Sequence, residues 1–399
     1  MLSFPGGAEA LANPNAKVYA KIYIGWLDKD ISALLVSMPV ITSRRRPNSR
    51  VIEMGSISLV LDNKDHTFSW WHPASIFYGV NWTRSDTWIA IIVEVNGVRL
   101  SCPAFVGYIH RITFDSDSKQ ATITLIDGIG VLKMIQTPSV NVWNPDTLTG
   151  TRWLRQPPAK IVYEIVTLVP GIFWGVNFSV DIGWETLGSE LITEYDLREG
   201  TLWDNIQSVL DMTNSGLKCT SDGNIIYFKF RPSTAVTFNF NAKIQVQKYT
   251  TDIGVDGLTN SYNVFRVDPD GTRTLTANSP IEDAASIALY GLAQKSFNSY
   301  FYLDYIGEAI AAERLNLTAN PANIHSVSSA LETFVVEPED RTRLTDEEND
   351  FDQYAYAYER SVNLDTKRCD HLLVTDEVSN KPWLYADNGQ DLAGASKIW

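Results

Sequence analysis

Regular patterning begins at Lys17. From Lys17 to Ile24 the even positions, Val18, Ala20, Ile22 and Ile24, are apolar, and the odd ones are Lys or Tyr. A period of two predicts a strand with one dry face and one wet face. The same period returns from Arg50 to Leu61, where Ile57, Leu59 and Leu61 are in phase. Further strand-like runs are Trp88–Val95, Val98–Ser101 after the Asn96-Gly97 turn, Phe105–Phe114 and Ala121–Ile126. Polar turns separate the runs, at Asp28-Lys29-Asp30 and Asp115-Ser116-Asp117-Ser118. Short alternating strands at this spacing predict one compact antiparallel barrel or sandwich over residues 17–137. Residues 1–16 carry no such pattern and read as an arm.

Two stretches interrupt the strands. Arg44-Arg45-Arg46-Pro47 is a basic cluster in an acidic chain, read as a loop tip: solvated, or an electrostatic contact for an acidic partner. Residues 62–87 form a long loop with Phe68, Trp70, Trp71, Phe77, Tyr78 and Trp82. Such a loop packs on itself over a barrel end, or offers a protein interface or a sugar-stacking surface.

Residues 138–200 change character, with Pro138, Pro145, Pro157, Pro158 and Pro170 as punctuation. They read as an inserted subdomain, with a short helix started by Pro158 and running to Val169. The period then becomes helical. Thr201 stands at an N-cap, with Asp204 three residues on as its capping-box partner. Leu202, Trp203, Ile206, Val209 and Leu210 share one face, and Gly216 is the expected stop. A hairpin follows around Ser221-Asp222-Gly223-Asn224, with Ile226, Phe228 and Phe230 on one face, so residues 201–232 form a helix–hairpin module.

A second β region is predicted over 233–345, through Val236–Phe240, Ile244–Tyr249, Asn260–Val267, Ile324–Ser329 and Thr333–Glu337. A helix carrying Leu303, Ile306, Ile310 and Leu317 crosses it and stops at Asn320-Pro321. Glu337 to Asp352 is dense in carboxylates and reads as a solvated, mobile segment. Residues 346–399 form a C-terminal segment with a few strand-like runs. The fold class is mainly β with α/β insertions.

Composition narrows the function. A net charge of −14 argues against a chain that grips a nucleic-acid backbone. The 12 Trp, 17 Tyr and 16 Phe suit wide sheets and large interfaces. Cys102, Cys219 and Cys369 lie far apart with no ligand spacing, and no metal or cofactor is expected. His66, His72, His110, His325 and His371 form no HExxH, and no nucleophile elbow or phosphate-binding glycine loop is present. Asp268-Pro269-Asp270-Gly271 lacks the twelfth-position Glu of a calcium loop and reads as a β-turn. No window has the ~18 apolar residues of a membrane helix, so no stable membrane insertion is expected.

The ordered set of motifs resembles the tail-tip or baseplate hub proteins of long-tailed bacteriophages, with relatives in contractile injection systems and gene-transfer particles. Phe105-Val106-Gly107-Tyr108-Ile109, the polar turn, Ala121–Asp127 and Leu132 look like their first barrel. The 201–232 helix–hairpin looks like their middle module. Asn260–Val267, Ser286-Ile287, Tyr290-Gly291 and the following helix look like the opening of their second barrel. The resemblance spans roughly residues 17–335, and it implies two tail-tube-like antiparallel β-barrel domains plus smaller inserted subdomains. It implies a structural virion protein, not an enzyme. A homotrimer would present a pseudo-hexameric ring that closes the tail tube, with DNA only transiently in its lumen. Its other partners would be the tail tube or distal tail protein, the tape measure protein, and a tail fibre, receptor-binding or central spike protein. It would sit at the virion tail tip after assembly in the host bacterial cytoplasm. Arg44, Arg45, Arg46, Trp70, Trp71, Phe77 and Trp82 are the expected interface residues. The alternative from another class is a tail-associated polysaccharide hydrolase or a carbohydrate-binding fibre protein, with the Trp-rich loop as its sugar platform.

Overall fold

The computed structural model describes residues 17–27, 29–45, 51–53, 55–80, 88–95, 98–99, 104–137, 152–167, 178–180, 191–213, 215–229, 235–243, 245–254, 258–268, 270–301 and 303–375. Two curled sheets dominate it. The first holds β1 (Val18–Ile24), β2 (Lys29–Asp30), β3 (Leu35–Ser37), β6 (Ser56–Asp62), β7 (Trp88–Val95), β8 (Val98–Arg99), β9 (Phe105–Asp115) and β10 (Gln120–Ile126). Its order is β2-β1-β7-β9-β10-β6-β3, antiparallel throughout, with β8 paired to β7. The alternation read from sequence is the alternation of burial. Ile22, Ile24, Leu59, Leu61, Ile123 and Leu125 are all fully buried. Cross-strand partners such as Ile123 and Leu59 meet on the dry face.

One predicted strand is two. Arg50–Leu61 breaks at Gly55, whose φ of 73° favours glycine. The part before the break, β5 (Val51–Glu53), forms a hairpin with β4 (Val40–Arg45) that leaves the first sheet and joins the second. The reason lies in β24 (Phe351–Asn363), a strand of 13 residues. Along one edge its first half pairs with β23 (Arg341–Asp346) and its second half with β4. A register shift between Ala357 and Glu359 marks the junction.

The second sheet also holds β12 (Phe178–Val180), β14 (Ser215–Cys219), β15 (Ile225–Lys229), β16 (Phe238–Asn241), β17 (Val246–Gly254), β22 (Ala322–Ala330) and β25 (Arg368–Thr375). Its path is β12-β15-β14-β5-β4-β24-β25-β22-β17, with β16 joined through β23. Pairing is mainly antiparallel; β12 with β15, β14 with β5 and β16 with β23 are parallel. β16 and β17 follow each other within a few residues, yet the first pairs with β23 and the second with β22. The corner between them curls the sheet around a core of Phe240, Val327, Val336, Leu344, Ala357 and Leu373.

This sheet does not stop at residue 345. The acidic run is a hairpin, not a solvated segment. Beneath its charge β23 alternates, with Thr342 and Leu344 fully buried, and Arg343 Nε donates to Asp352 Oδ1 across the pair at 2.7 Å. Glu347, Glu348 and Asp350 occupy the exposed turn. The predicted strand at Thr333–Glu337 is instead a 3-10 turn over Leu331–Val335.

Between the sheets lies the helix–hairpin module. Helices α1 (Gly128–Met134) and α2 (Pro158–Thr167) pack on α3 (Leu202–Met212), and β11 (Arg152–Gln156) pairs with β13 (Ile192–Asp196). The capping box forms as read: Thr201 Oγ1 accepts from Asp204 N at 3.1 Å, and Asp204 Oδ2 accepts from Thr201 N at 2.7 Å. Leu202, Ile206, Val209 and Leu210 are fully buried. Gly216 is not the helix stop; it lies inside β14, opposite Phe228. Arg314 closes the helix instead, its Nη2 donating to Asp211 O at 2.8 Å and Thr213 O at 3.0 Å. In the hairpin, Ile225 and Tyr227 take the deepest positions, one residue out of phase with the predicted face.

The stretch read as the opening of a second barrel is a separate unit between β17 and β22. It comprises β18 (Ser261–Val267), β19 (Arg273–Leu275), β20 (Ile281–Glu282), β21 (Gln294–Ser299), α4 (Ala284–Tyr290) and α5 (Asp304–Thr318). Asn260, fully buried, ties it together: Nδ2 donates to Gly291 O at 2.7 Å and Oδ1 accepts from Ala293 N at 2.7 Å. Helix α5 lies so close to β21 that a β-carbon added at Gly307 would overlap the Ser299 side chain. Gly307→Ala is therefore expected to lower unfolding stability by about 2 kcal/mol, the usual scale of overpacking, read as an earlier denaturant midpoint. An unchanged midpoint would show that α5 can slide.

Candidate interaction surfaces

The loop after β6 is built on a repeat of three. The amides of His66, Ser69, His72, Ser75 and Tyr78 each donate to the carbonyl three residues back, at 2.7–3.1 Å. Asn63 locks the start, with Oδ1 accepting from Phe68 N at 2.7 Å and Nδ2 donating to Ser69 Oγ at 3.0 Å. Lys119 O, in the β9–β10 turn, accepts from Asn63 N at 2.9 Å, so the loop is clipped to the end of the first sheet. Phe68 and Phe77 point inward with centroids 6.2 Å apart. His66 and His72 stack at 4.5 Å.

That geometry sorts the aromatic residues. Phe77 is 1% exposed and belongs to the core, where no partner reaches it. Trp70 and Trp71 are 51% and 53% exposed. Trp71 meets Phe114 edge-on at 4.6 Å and Trp70 at 5.6 Å, which holds both rings at the surface in fixed poses. Trp82 lies outside the described residues.

Arg44 is not at a loop tip. It is an exposed residue of β4, directly across from Glu359 of β24. Arg45 pairs through its backbone with Ile52, and Arg46 lies outside the described residues. Nothing in the described geometry brings this cluster to the Trp loop.

Two concave surfaces lie away from the Trp loop. A groove of about 340 Å³ runs over β17, β22, β25 and β24, lined by Lys248, Thr250, Ser326, Ser328, Glu359 and Asp370. A cleft of about 460 Å³ lies between β13 and the β18–β21 sheet, with Glu194, Asp196 and Asp268 beside Arg198 and Arg273. Sequence reading missed both, because their residues come from strands far apart in the chain. The one local signal was alternation of small polar residues, such as Ser326 and Ser328, with buried partners.

No protein-family model matches the chain, and no curated protein matches its sequence. Solved structures do. The 43 kDa tail protein of prophage MuSo2 from Shewanella oneidensis superposes with a TM-score of 0.56 at 13% identity, covering 90% of this chain and 98% of that one. A tail protein from Neisseria meningitidis MC58 gives 0.58 at 10% identity, covering 92% and 98%. Prophage tail protein gp18 from Listeria monocytogenes EGD-e gives 0.54 at 10%, covering 95% and 99%.

The fold is that of bacteriophage tail proteins. The coverage means that the tail-protein fold spans both curled sheets and the modules between them, not one sheet alone.

Within this tail-protein fold three hydrogen-bonded carboxylates are held low. Burial would raise the Glu308 carboxyl, but donors on Asn278 hold it below the usual range. Hydrogen bonds from Thr201 lower Asp204, and those from Asn349 and Tyr249 lower Asp346. A glycosidase acid needs the opposite displacement. His325 and His371 are pushed down to about 4 and about 3 by burial, so both are neutral at pH 7. Among the described residues, no group of three His, Cys, Asp or Glu could hold a metal.

Because Trp70 and Trp71 are half exposed but packed on each other and on Phe114, Trp70→Ala with Trp71→Ala is expected to lower folding stability by about 1–2 kcal/mol per site and leave the chain folded. If the rings form an interface, the same variant loses partner capture in pull-downs from a tail-assembly extract. Unchanged capture would remove these rings from the interface.

Proposed function

We propose that this chain is a structural component of the bacteriophage tail tip, acting as its baseplate hub. The observation that carries this reading is two curled β-sheets in one chain, within a fold shared with tail proteins over nine-tenths of its length. Three copies would present six such sheets around an axis, able to meet a sixfold tube on one side and threefold components on the other. Cyclic symmetry lets one patch recur around that ring. The tail tube or distal tail protein, the tape measure protein, and a fibre, receptor-binding or central spike protein would be its neighbours. DNA would cross the lumen only in transit, and a net charge of −14 suits a wall to which it does not adhere.

The test is the mass of the purified protein in solution, with negative-stain images of the same sample. A trimeric ring with a central hole and six outer lobes is expected, formed alone or on addition of the tube protein. A chain that stays monomeric with the tube protein present, and cleaves or binds glycan, would replace this reading. The replacement, a tail-associated hydrolase or carbohydrate-binding fibre protein, has one observation in its favour: the fixed, half-exposed Trp70 and Trp71 pair.

A further inference from the structure

Among the described residues, a cation buried in the second sheet has no counter-charge within ion-pair distance. Arg360 on β24 is fully buried, and Nη1 donates to Phe334 O at 2.8 Å. Its guanidinium lies 4.8 Å from the Phe334 ring centroid. Nε and Nη2 have no hydrogen-bond partner. Directly across the strand pair, on the same face, is His371 of β25, 2% exposed. Its Nε2 lies 2.9 Å from Thr333 Oγ1, and its Nδ1 has no partner. Both Phe334 and Thr333 belong to the 3-10 turn Leu331–Val335, so this turn covers both side chains.

We propose that the turn Leu331–Val335 is a latch over the Arg360–His371 pair, and that uptake of one proton by His371 releases it. The surroundings of His371 dictate the direction. From β22 it meets Val327, from β16 the Phe240 ring at 5.1 Å, and from the latch Thr333. On its own strand Cys369 and Leu373 share the face, both fully buried. Arg360 is the charged group among these neighbours; Glu359 and Asp370, the more exposed residues next to Arg360 and His371 on their strands, alternate onto the other face, and the groove they line also touches His371.

In the closed form Nε2–H can donate to Thr333 Oγ1, leaving a bare lone pair on Nδ1. A second proton would make Nδ1 a buried donor with no acceptor, beside a guanidinium of like charge. Both effects disfavour the cation, burial first and Arg360 second. With the latch lifted, water solvates both cations and the penalty vanishes. Acid therefore opens the latch, and Arg360 is the residue that sharpens the response. Thr333 also bonds Ala330 O at 2.9 Å and Ser329 Oγ at 2.7 Å, so displacement of Thr333 loosens the end of β22 as well.

Cys369, fully buried on this face, is a built-in reporter; Cys219, buried in the helix–hairpin module, is the control. The full chain carrying Cys102→Ser is labelled with 4,4′-dithiodipyridine from pH 7 to pH 4, referenced to a small thiol. Below about pH 6 the Cys369 rate is expected to rise about tenfold per pH unit, the slope of one proton, while Cys219 stays protected. His371→Gln is expected to flatten the rise, and Arg360→Met to move it to lower pH. A flat Cys369 rate overturns the proposal, as does an equal rise in His371→Gln. If that variant does not fold, the two thiols of the parent chain decide: Cys369 and Cys219 rising together means general acid unfolding and no latch.

Discussion

Between pH 6.5 and pH 4 the chain is expected to lose about 6 kcal/mol of folding stability through two histidines, at about 1.4 kcal/mol per pH unit for each. His325 and His371 are held neutral, at about 4 and about 3, against an ordinary value of 6.5. The unfolded chain binds these protons first, at 6.5. The stability is therefore fully present above that pH and drains as pH falls towards the folded values. Below pH 4 only His371 continues to contribute, down to about 3. His325 is fully buried, with Nδ1 2.9 Å from Thr251 Oγ1, an orphan Nε2, and the Phe351 ring at 5.5 Å. The loss is comparable with the ~5–15 kcal/mol of a whole domain, so the denaturant midpoint should start to fall well above the carboxylate range while the chain without denaturant stays folded. Denaturant titrations at each pH measure it. His325→Gln and His371→Gln should each remove about half of the slope above pH 4. A parent chain whose stability is level from pH 6.5 to pH 4.5 would show that these rings are hydrated.

Asn205→Leu is expected to cost about 4 kcal/mol, the largest single-site effect in the helix–hairpin module. Asn205 is 1% exposed on the first turn of α3. Its Nδ2 donates to Thr137 Oγ1 and Arg198 O at 3.0 Å and to Thr201 O at 3.1 Å. Its Oδ1 accepts from Arg198 N at 2.8 Å and from Tyr195 OH at 3.1 Å. One amide thus joins the end of the first domain, the strand before α3 and the helix itself. A Leu side chain leaves several buried groups unpaired at about 1–3 kcal/mol each, partly offset where backbone relaxes to water. Asn205→Asp is the sharper control, since it keeps the shape and removes the donors while adding a charge. Both variants should fall in denaturant midpoint with an unchanged slope. A loss below about 1 kcal/mol in both would mean that the network is dispensable.

Much of the local structure was legible. The period-two runs at 18–24, 56–62 and 120–126, the Thr201–Asp204 box and the Asp222-Gly223 turn all stand where the residues place them. Each depends on contacts between residues a few positions apart. The tight turn before Gly271, with its amide on Asp268 O at 2.8 Å, is of the same kind. The acidic hairpin was illegible for a physical reason: Glu347, Glu348 and Asp350 lie in the exposed turn, and Asp346, in phase with the buried Thr342 and Leu344, is satisfied by Tyr249 OH and Asn349 Nδ2, so none of them opposes pairing. The Gly216 stop failed because an arginine from a helix a hundred residues away already capped α3. Of the candidate surface, the aromatic loop could be located from sequence, but not which rings it shows.

By itself, then, the sequence determined the β character, the turns and the Thr201–Asp204 cap, because these rest on short-range periodicity and backbone preference; the resemblance to tail-tip hubs came from the order of its motifs. Only the tertiary structure decided that β4 and β5 leave the first sheet for the second, where Thr42 meets Ser361 across 319 positions. It also decided that β16 and β17 turn one corner to curl that sheet, and that Phe77 faces in while Trp70 and Trp71 face out. Long β24 offered an edge that several strands could have filled equally well by pattern. Which one docks is settled by burial summed over the whole chain, a quantity that no local window contains.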